Sequence, residues 1–165
     1  MDLVLSAKKV VEQLHLNNVT HVVWLPDSET NFMYDQLTQD SSIEIVSVSR
    51  EGETMPIAAG LWAGGKRPVV MIQNTGLFES GDSIRGMTID IQFPLVIFVG
   101  YRGWHRDSKI TDSAAKFTLP ILNAWGIKSY LIEEDIDCKL ISNAFIDAEK
   151  SSFPVACLIG AEYSH

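Results

Sequence analysis

Six short apolar runs, rich in β-branched residues, punctuate this chain of 165 residues at positions 21–25, 43–48, 69–73, 94–99, 127–132 and 154–159. The run VVMIQ at 69–73 lacks the alternation of a half-solvated strand and reads as a strand buried on both faces, as in a parallel sheet covered on both sides. Between the runs the spacing turns helical. Leu3, Ala7, Val10, Val11 and Leu14 recur along one face, so residues 2–16 are expected to form an amphipathic helix. Further helices are expected over 29–37, from Glu51 to about 65, and over 77–91, 112–125 and 136–149. Strands alternating with helices in this way predict an α/β fold, a doubly wound, mostly parallel six-stranded sheet with helices on both faces. With no internal repeat or linker, residues 1–165 are expected to form one domain, large enough to bury a core without disulfides or metals.

Charge removes one class of function. Lys and Arg total 13 against 21 acidic residues, a formal net charge of -8, whereas phosphate backbones are held by clustered cations. Cys138 and Cys157 form no CxxC or metal-type spacing and are expected to be buried small hydrophobes in a reducing compartment. No apolar run approaches the roughly 20 residues of a membrane helix, and Asp2, Lys8, Lys9 and Glu12 stand where a signal peptide would be apolar. A cytoplasmic protein is expected.

Several familiar motifs are absent or out of context. The string GLWAGGK at 60–66 has the spacing of a phosphate-binding loop, but it closes a helix and precedes a strand, the reverse of the required order, and Arg67 stands where Ser or Thr would hold magnesium. There is no G-x-G-x-x-G fingerprint and no G-x-S-x-G elbow. His15, His21, His105 and His165 are too scattered to suggest a metal cluster, and no metal ligands are expected from this chain.

Open parallel sheets bind ligands outside the carboxyl ends of their strands. Three strand-to-helix junctions are expected there: PDS at 26–28, SREGE at 49–53 and NTG at 74–76. Glu51 follows one strand directly, and the helix after it carries Ala58, Ala59, Gly60, Ala63, Gly64 and Gly65, a face that lets another backbone or a flat ligand come close. A carboxylate in a first turn also satisfies the helix dipole, so Glu51 has a purely structural reading as well. Pro56 leaves the helix start open, and with it Glu53 as an alternative carboxyl. Asp27, Ser28, Asn74 and Thr75 are suited either to a ligand or to helix capping. The loop 100–110 gathers Tyr101, Arg102, Trp104, His105, Arg106 and Lys109 in an otherwise acidic protein; it reads either as an anion-recognition loop or as a solvated charged one.

Glu51 stands nine residues before Gly60-Leu61-Trp62-Ala63, and this arrangement resembles the pyrimidine-binding domain of thiamine diphosphate enzymes. Within that family, Pro26-Asp27-Ser28, the turn GGKRP at 64–68, QNTGL at 73–77 and Gly100-Tyr101-Arg102-Gly103 are similar to the alpha subunit of sulfopyruvate decarboxylases and the matching half of phosphonopyruvate decarboxylases. The resemblance spans about 5–160. It implies thiamine diphosphate and Mg2+ as cofactors and Glu51 as the catalytic carboxyl, hydrogen-bonded to N1′ of the aminopyrimidine so as to favour its imino tautomer. It further implies Asn74, Thr75 and Gly76 beside that ring, and Asp27, Ser28, Arg102, His105 and Arg106 toward a sulfonated or phosphonated pyruvate.

This chain departs from the family at two places. It reads Ser108-Lys109-Ile110-Thr111-Asp112-Ser113 where a histidine is usual, and Arg50 where many relatives carry histidine. The Gly-Asp-Gly motif that anchors magnesium is also missing, Gly81-Asp82-Ser83 being the nearest string. The resemblance therefore implies a half-enzyme in a hetero-oligomer, with a diphosphate- and Mg-binding beta-type subunit as partner. A non-catalytic binding or regulatory subunit, and a carboligase or other C–C lyase half of the same cofactor class, stay open as alternatives.

Overall fold

The computed structural model describes residues 4–106 and 109–160 together with the backbone of Tyr163 and Ser164. In chain order the elements are β1 (Leu5–Ser6), α1 (Ala7–Leu16), β2 (His21–Trp24), α2 (Tyr34–Thr38), β3 (Glu44–Ser47) and α3 (Thr54–Ala63). They continue through β4 (Pro68–Gln73), α4 (Asn74–Glu79), α5 (Gly81–Ile84), β5 (Val96–Gly100), α6 (Ser113–Ala124), β6 (Lys128–Ile132), α7 (Lys139–Ser151), β7 (Val155–Ile159) and β8 (Tyr163–Ser164).

Six of the strands form one sheet in the order β3-β2-β4-β5-β7-β6, and every neighbouring pair is parallel. The two-residue pleat divides the core. Val22, Trp24, Met71, Phe98 and Cys157 point to the side covered by α1, α2 and α7, while Val23, Val70, Ile72, Ile97, Val99 and Leu158 point to the side covered by α3, α4, α5 and α6. Both faces being dry, β4 and β5 are buried at every position, as the uninterrupted apolar run at 69–73 foretold. Each such Val or Ile contributes roughly 1.5–3 kcal/mol through burial of its side chain.

Element boundaries shift where side chains compete with the helix pattern. The first helix begins at Ala7, because Ser6 Oγ accepts the Lys9 N–H and Leu5 and Ser6 pair in parallel with Tyr163 and Ser164. The expected helix over 29–37 becomes a 3₁₀ turn at Asn31–Met33 followed by the short α2. The expected helix over 77–91 starts earlier, at Asn74, and is broken into α4, α5 and a π-helical turn at Arg85–Ile89, where Thr88 Oγ1 donates to Ile84 O at 2.6 Å. Pro56 falls in the first turn of α3, where its missing N–H is harmless. Pro120 sits inside α6 on its exposed side and leaves the Lys116 carbonyl without its helical donor.

The order of the strands fixes where a ligand can enter. The chain passes outward from β2 to β3 and then returns to β4 on the other flank of β2, so the carboxyl ends of β2 and β4 bound a crevice at the switch point. Asp27 follows β2, Glu51 follows β3 and Asn74 follows β4. All three junctions singled out from sequence therefore open at one end of one sheet. Among the described residues no helix is long and apolar enough to cross a membrane.

Candidate active site

Glu51 opens a 3₁₀ turn, Glu51–Glu53, after Arg50 in extended conformation, and the turn leads directly into α3. Its carbonyl accepts the Thr54 hydroxyl at 2.6 Å. Its side chain, part-buried, is laid against the first turn of α4. A Cβ built on Gly76 would stand 2.9 Å from both Glu51 Cδ and Oε1 and closer still to Cγ. Only a residue without a side chain can occupy position 76 while Glu51 keeps this pose. Glu53, the alternative carboxyl, is exposed and accepts the Ser49 N–H at 3.3 Å, which makes it a turn residue.

Asp27 is tied down on the other side of the crevice. Its Oδ1 accepts the N–H groups of Glu29 at 2.7 Å and Thr30 at 3.0 Å, and its Oδ2 accepts the Thr30 hydroxyl at 2.7 Å. That hydroxyl accepts the buried Trp24 indole N–H at 2.9 Å, so the carboxylate is anchored to the core of β2. Burial pushes the Asp27 carboxyl above its ordinary range. The Thr30 and Glu29 hydrogen bonds act against the rise, and the charge of Glu51 adds to it. Beside it, Glu29 crosses Gly100 at the end of β5, where an added Cβ would stand 2.5 Å from Glu29 Cβ and 3.4 Å from Asp27 Oδ1. At this second glycine it is the stem of Glu29 that is pressed onto a strand end.

Ser28 is exposed and accepts a hydrogen bond from Gln73 Nε2 at 3.3 Å, while Thr75 donates to Gln73 Oε1 at 2.9 Å. These contacts link the PDS and NTG junctions through Gln73. Asn74 behaves differently. It is fully buried, and its amide donates to Arg102 O at 3.0 Å and to Thr118 Oγ1 at 3.2 Å, tying α4 to the loop after β5 and to α6. Its Oδ1 is buried with no hydrogen-bond partner among the described residues. Neither Asn74 nor Thr75 caps α4, whose N-cap residue is Gln73, without a side-chain bond.

The cationic loop is structured by its own contacts. Arg102 Nε pairs with Asp112 Oδ2 at 3.0 Å, His105 Nε2 lies 2.9 Å from Thr111 Oγ1, and Arg106 reaches Glu134 at 3.2 Å and donates to the Glu133 carbonyl. Trp104 stacks on Tyr101 with ring centroids 5.2 Å apart and donates to Glu133 Oε1 at 2.8 Å. Gly103, at φ +84°, turns the chain where a Cβ would meet the Asp112 backbone N at 2.9 Å. Among the described residues, Arg102, His105 and Arg106 form no ion pair with Glu51 or Asp27. Asp107 and Ser108 lie outside the described residues.

Two residues that sequence reasoning passed over stand next to Glu51. Glu79, at the end of α4, ion-pairs with Arg50 Nε through Oε1 and accepts the Gly52 N–H at 2.7 Å through Oε2. Ser83 in α5 donates to the Gly52 carbonyl at 2.8 Å. The Arg50 hydrogen bond holds the Glu79 carboxyl below its usual range, with the Gly52 N–H acting in the same direction. Among the described residues no group of three or more His, Cys, Asp or Glu side chains is arranged to hold a metal ion.

Residues 6–118 match the family model described as "Thiamine pyrophosphate enzyme, N-terminal TPP binding domain". The chain is 27% identical over 163 residues to "Sulfopyruvate decarboxylase subunit alpha" of Methanococcus maripaludis, covering 96% of each. It is 27% identical over 154 residues to "Sulfopyruvate decarboxylase" of Methanosarcina acetivorans, where it covers 92% of this chain and 39% of that one. A similar level, 27% over 99 residues, relates 60% of the chain to 25% of "Phosphonopyruvate decarboxylase" of Streptomyces viridochromogenes. The fold superposes on 2-oxoglutarate:ferredoxin oxidoreductase from Magnetococcus marinus with a TM-score of 0.71 at 17% identity, over 93% of this chain and 28% of that one. On benzoylformate decarboxylase from Polynucleobacter necessarius the TM-score is 0.66 at 22% identity, over 92% and 29%. The chain therefore belongs to the thiamine pyrophosphate enzymes, as a member of the N-terminal TPP binding domain family.

Proposed function

We propose that this chain is the alpha-type subunit of a thiamine diphosphate-dependent 2-oxo acid decarboxylase acting on a sulfonated or phosphonated pyruvate, with 3-sulfopyruvate favoured. On this reading residues 1–165 are one pyrimidine-binding domain in a cytoplasmic hetero-oligomer. A second, beta-type subunit holds the diphosphate and Mg2+, and the cofactor bridges the two chains. The observation that carries the reading is the Glu51 carboxyl lying on the bare Cα of Gly76 at the switch point of the sheet. It is supported by the likeness to the alpha subunit from Methanococcus maripaludis, which extends over 96% of both chains.

The residues present fit the pyrimidine end of such a cofactor. The bare Cα of Gly76 lets the Glu51 side chain lie against α4, and Asn74, two residues before it, keeps a buried acceptor, Oδ1, without a donor among the described residues. When bound, thiamine diphosphate would supply a nucleophilic carbon and an electron sink for loss of CO2. Glu51 would offer its Oε to the ring nitrogen, and its part-burial in the crevice would limit competition from water for that hydrogen bond. Asp27, held by the Glu29 and Thr30 N–H groups and the Thr30 hydroxyl, would line the substrate side of the crevice. Asp112 holds Arg102 through Nε, and the remaining N–H groups of this half-exposed guanidinium would take the sulfonate or phosphonate. Gly76 and Thr75 would line the ring and Ser28 the substrate, while His105 and Arg106 stiffen the loop through Thr111, the Glu133 carbonyl and the Glu134 carboxylate.

The test is decarboxylation of 3-sulfopyruvate and phosphonopyruvate by this chain mixed with a candidate beta-type subunit, thiamine diphosphate and Mg2+. Glu51→Gln is expected to lose on the order of 100-fold or more in kcat, the scale of a positioned proton-transfer group. Full activity in that variant refutes the role of Glu51. No cofactor binding by the complex in calorimetry favours a non-catalytic subunit instead.

A further inference from the structure

We propose that Glu79 is the positioning residue of Glu51: its carboxylate clamps the backbone of the 3₁₀ turn that carries the catalytic carboxyl. The inference rests on the reading of Glu51 given above. Gly76, Glu79 and Ser83 are spaced i, i+3 and i+7 along α4 and α5, and each is in reach of the Arg50–Glu53 segment. Gly76 lies beneath the Glu51 side chain. Three residues on, Glu79 Oε2 takes the Gly52 N–H at 2.7 Å while Oε1 pairs with Arg50 Nε, so the residues on both sides of Glu51 are held by one carboxylate. One turn further, the Ser83 hydroxyl donates to the Gly52 carbonyl at 2.8 Å.

The fit is close. A Cβ on Gly52 would stand 3.2 Å from Glu79 Oε2, so a side chain there would push that carboxylate back by a few tenths of an ångström, while the 3.5 Å to Ser83 Oγ is ordinary contact. Hydrogen bonds to an ionised acceptor are the stronger kind, and this one bears on the Gly52 backbone and the Arg50 side chain rather than on Glu51 itself. The same short helix thus provides the floor under Glu51 and the clamp beside it. A shift of α4 would move both together, keeping the carboxyl in register with the crevice. Arg50, at the position where many relatives carry histidine, receives a role by the same contact: it neutralises Glu79 and keeps it ionised.

The test compares Glu79→Ala and Glu79→Gln in the complex with the beta-type subunit, alone and combined with Glu51→Gln. Glu79→Ala is expected to lower kcat on the order of 10- to 100-fold, the cost of misplacing a catalytic group by a fraction of an ångström to one ångström. Glu79→Gln keeps an oxygen for the Gly52 N–H and is expected to retain most of the activity. In the Glu51→Gln background Glu79→Ala is expected to cost nothing more, a non-additivity that a merely structural role would not produce. Independently of turnover, hydrogen exchange of the peptide spanning 49–55 is expected to accelerate at least tenfold in Glu79→Ala and to stay slow in Glu79→Gln. Wild-type kcat in Glu79→Ala, or a full additive loss in the double variant, overturns the clamp. Full activity in Glu51→Gln overturns the function proposed for that carboxyl instead, and the exchange measurement then still decides whether Glu79 holds the turn. If Glu79→Ala fails to fold, Glu79→Asp replaces it; its shorter arm cannot span both partners, and unchanged exchange and kcat in it overturn the proposal.

Discussion

Replacing Gly76 by Ala separates the stability of this fold from its chemistry, because the two respond with opposite sign. Gly76 lies in α4 and its φ is not positive, so Ala fits the backbone and reduces the entropy of the unfolded chain, a gain of about 0.4–1 kcal/mol. The new methyl, however, would stand 2.9 Å from Glu51 Cδ and Oε1. Glu51 Cγ is nearer still to the same point; carbon atoms settle at about 3.5–4.0 Å, so the side chain must retreat by about 1 Å or more. Because Glu51 is part-buried at the mouth of the crevice, its side chain can swing toward solvent, and the fold is spared. A displacement of that size is expected to cut kcat by roughly 10- to 100-fold. Thermal unfolding should show a Tm unchanged or raised by up to about 3 °C, the equivalent of the entropic gain in a chain of this length. In the Glu51→Ala background the clash is gone, and the full rise should appear. Wild-type turnover in Gly76→Ala, or a Tm lowered by several degrees in both backgrounds, would refute the reasoning, since the contact with Glu51 would then be neither tight nor the cause.

Other consequences concern the groups around the crevice. Since the folded-state pKa of Asp27 is raised, the folded chain holds that proton more tightly than the unfolded one; the resulting cost is absent below the ordinary carboxylate range and fully present above the raised value. Wild type should therefore lose stability relative to Asp27→Asn as pH rises through that window, and parallel Tm profiles for the two proteins would rule the shift out. Asp112 both caps α6, accepting the Ala114 N–H at 2.9 Å, and restrains Arg102. Asp112→Ala should cost about 1 kcal/mol in urea unfolding and raise KM for 3-sulfopyruvate more than for unsubstituted pyruvate, and equal changes in KM would break the link between Arg102 and the substrate's second anion.

The architecture was readable because its signal is global. The apolar run at 69–73 read as a strand shielded on both sides, and the alternation of such runs with helices pointed to a parallel sheet whose ligand end is fixed by topology. The position of Glu51 was legible for the same reason, as the carboxyl delivered by the second junction of that sheet, whereas the role proposed for it came from the family resemblance. Glu79 and Ser83 were not. Their significance lies in sharing a helical face with Gly76, and that face vanishes when the helix is taken to begin at Leu77 instead of Asn74. The break after Ser80 and the π turn at Arg85–Ile89 add no period that a single amphipathic pattern can report. The pairing of Arg102 with Asp112 and of Arg106 with the Glu133–Glu134 connection depends on long-range packing, so the loop's charges could be counted from sequence but not apportioned.

The sheet order also bears on how the protein is made. β7 lies between β5 and β6 although it follows both in the chain. A nascent chain synthesised only through α7 can assemble β3, β2, β4 and β5, but β6 has no neighbour to join, because its whole register runs to β7. Until Val155–Ile159 emerge, the apolar strand β5 presents an open edge, the template on which a second chain can pair. The interval between translation of β5 and of β7 is thus when this subunit is most exposed to misassembly. Chaperone protection of ribosome-bound chains should be concentrated there.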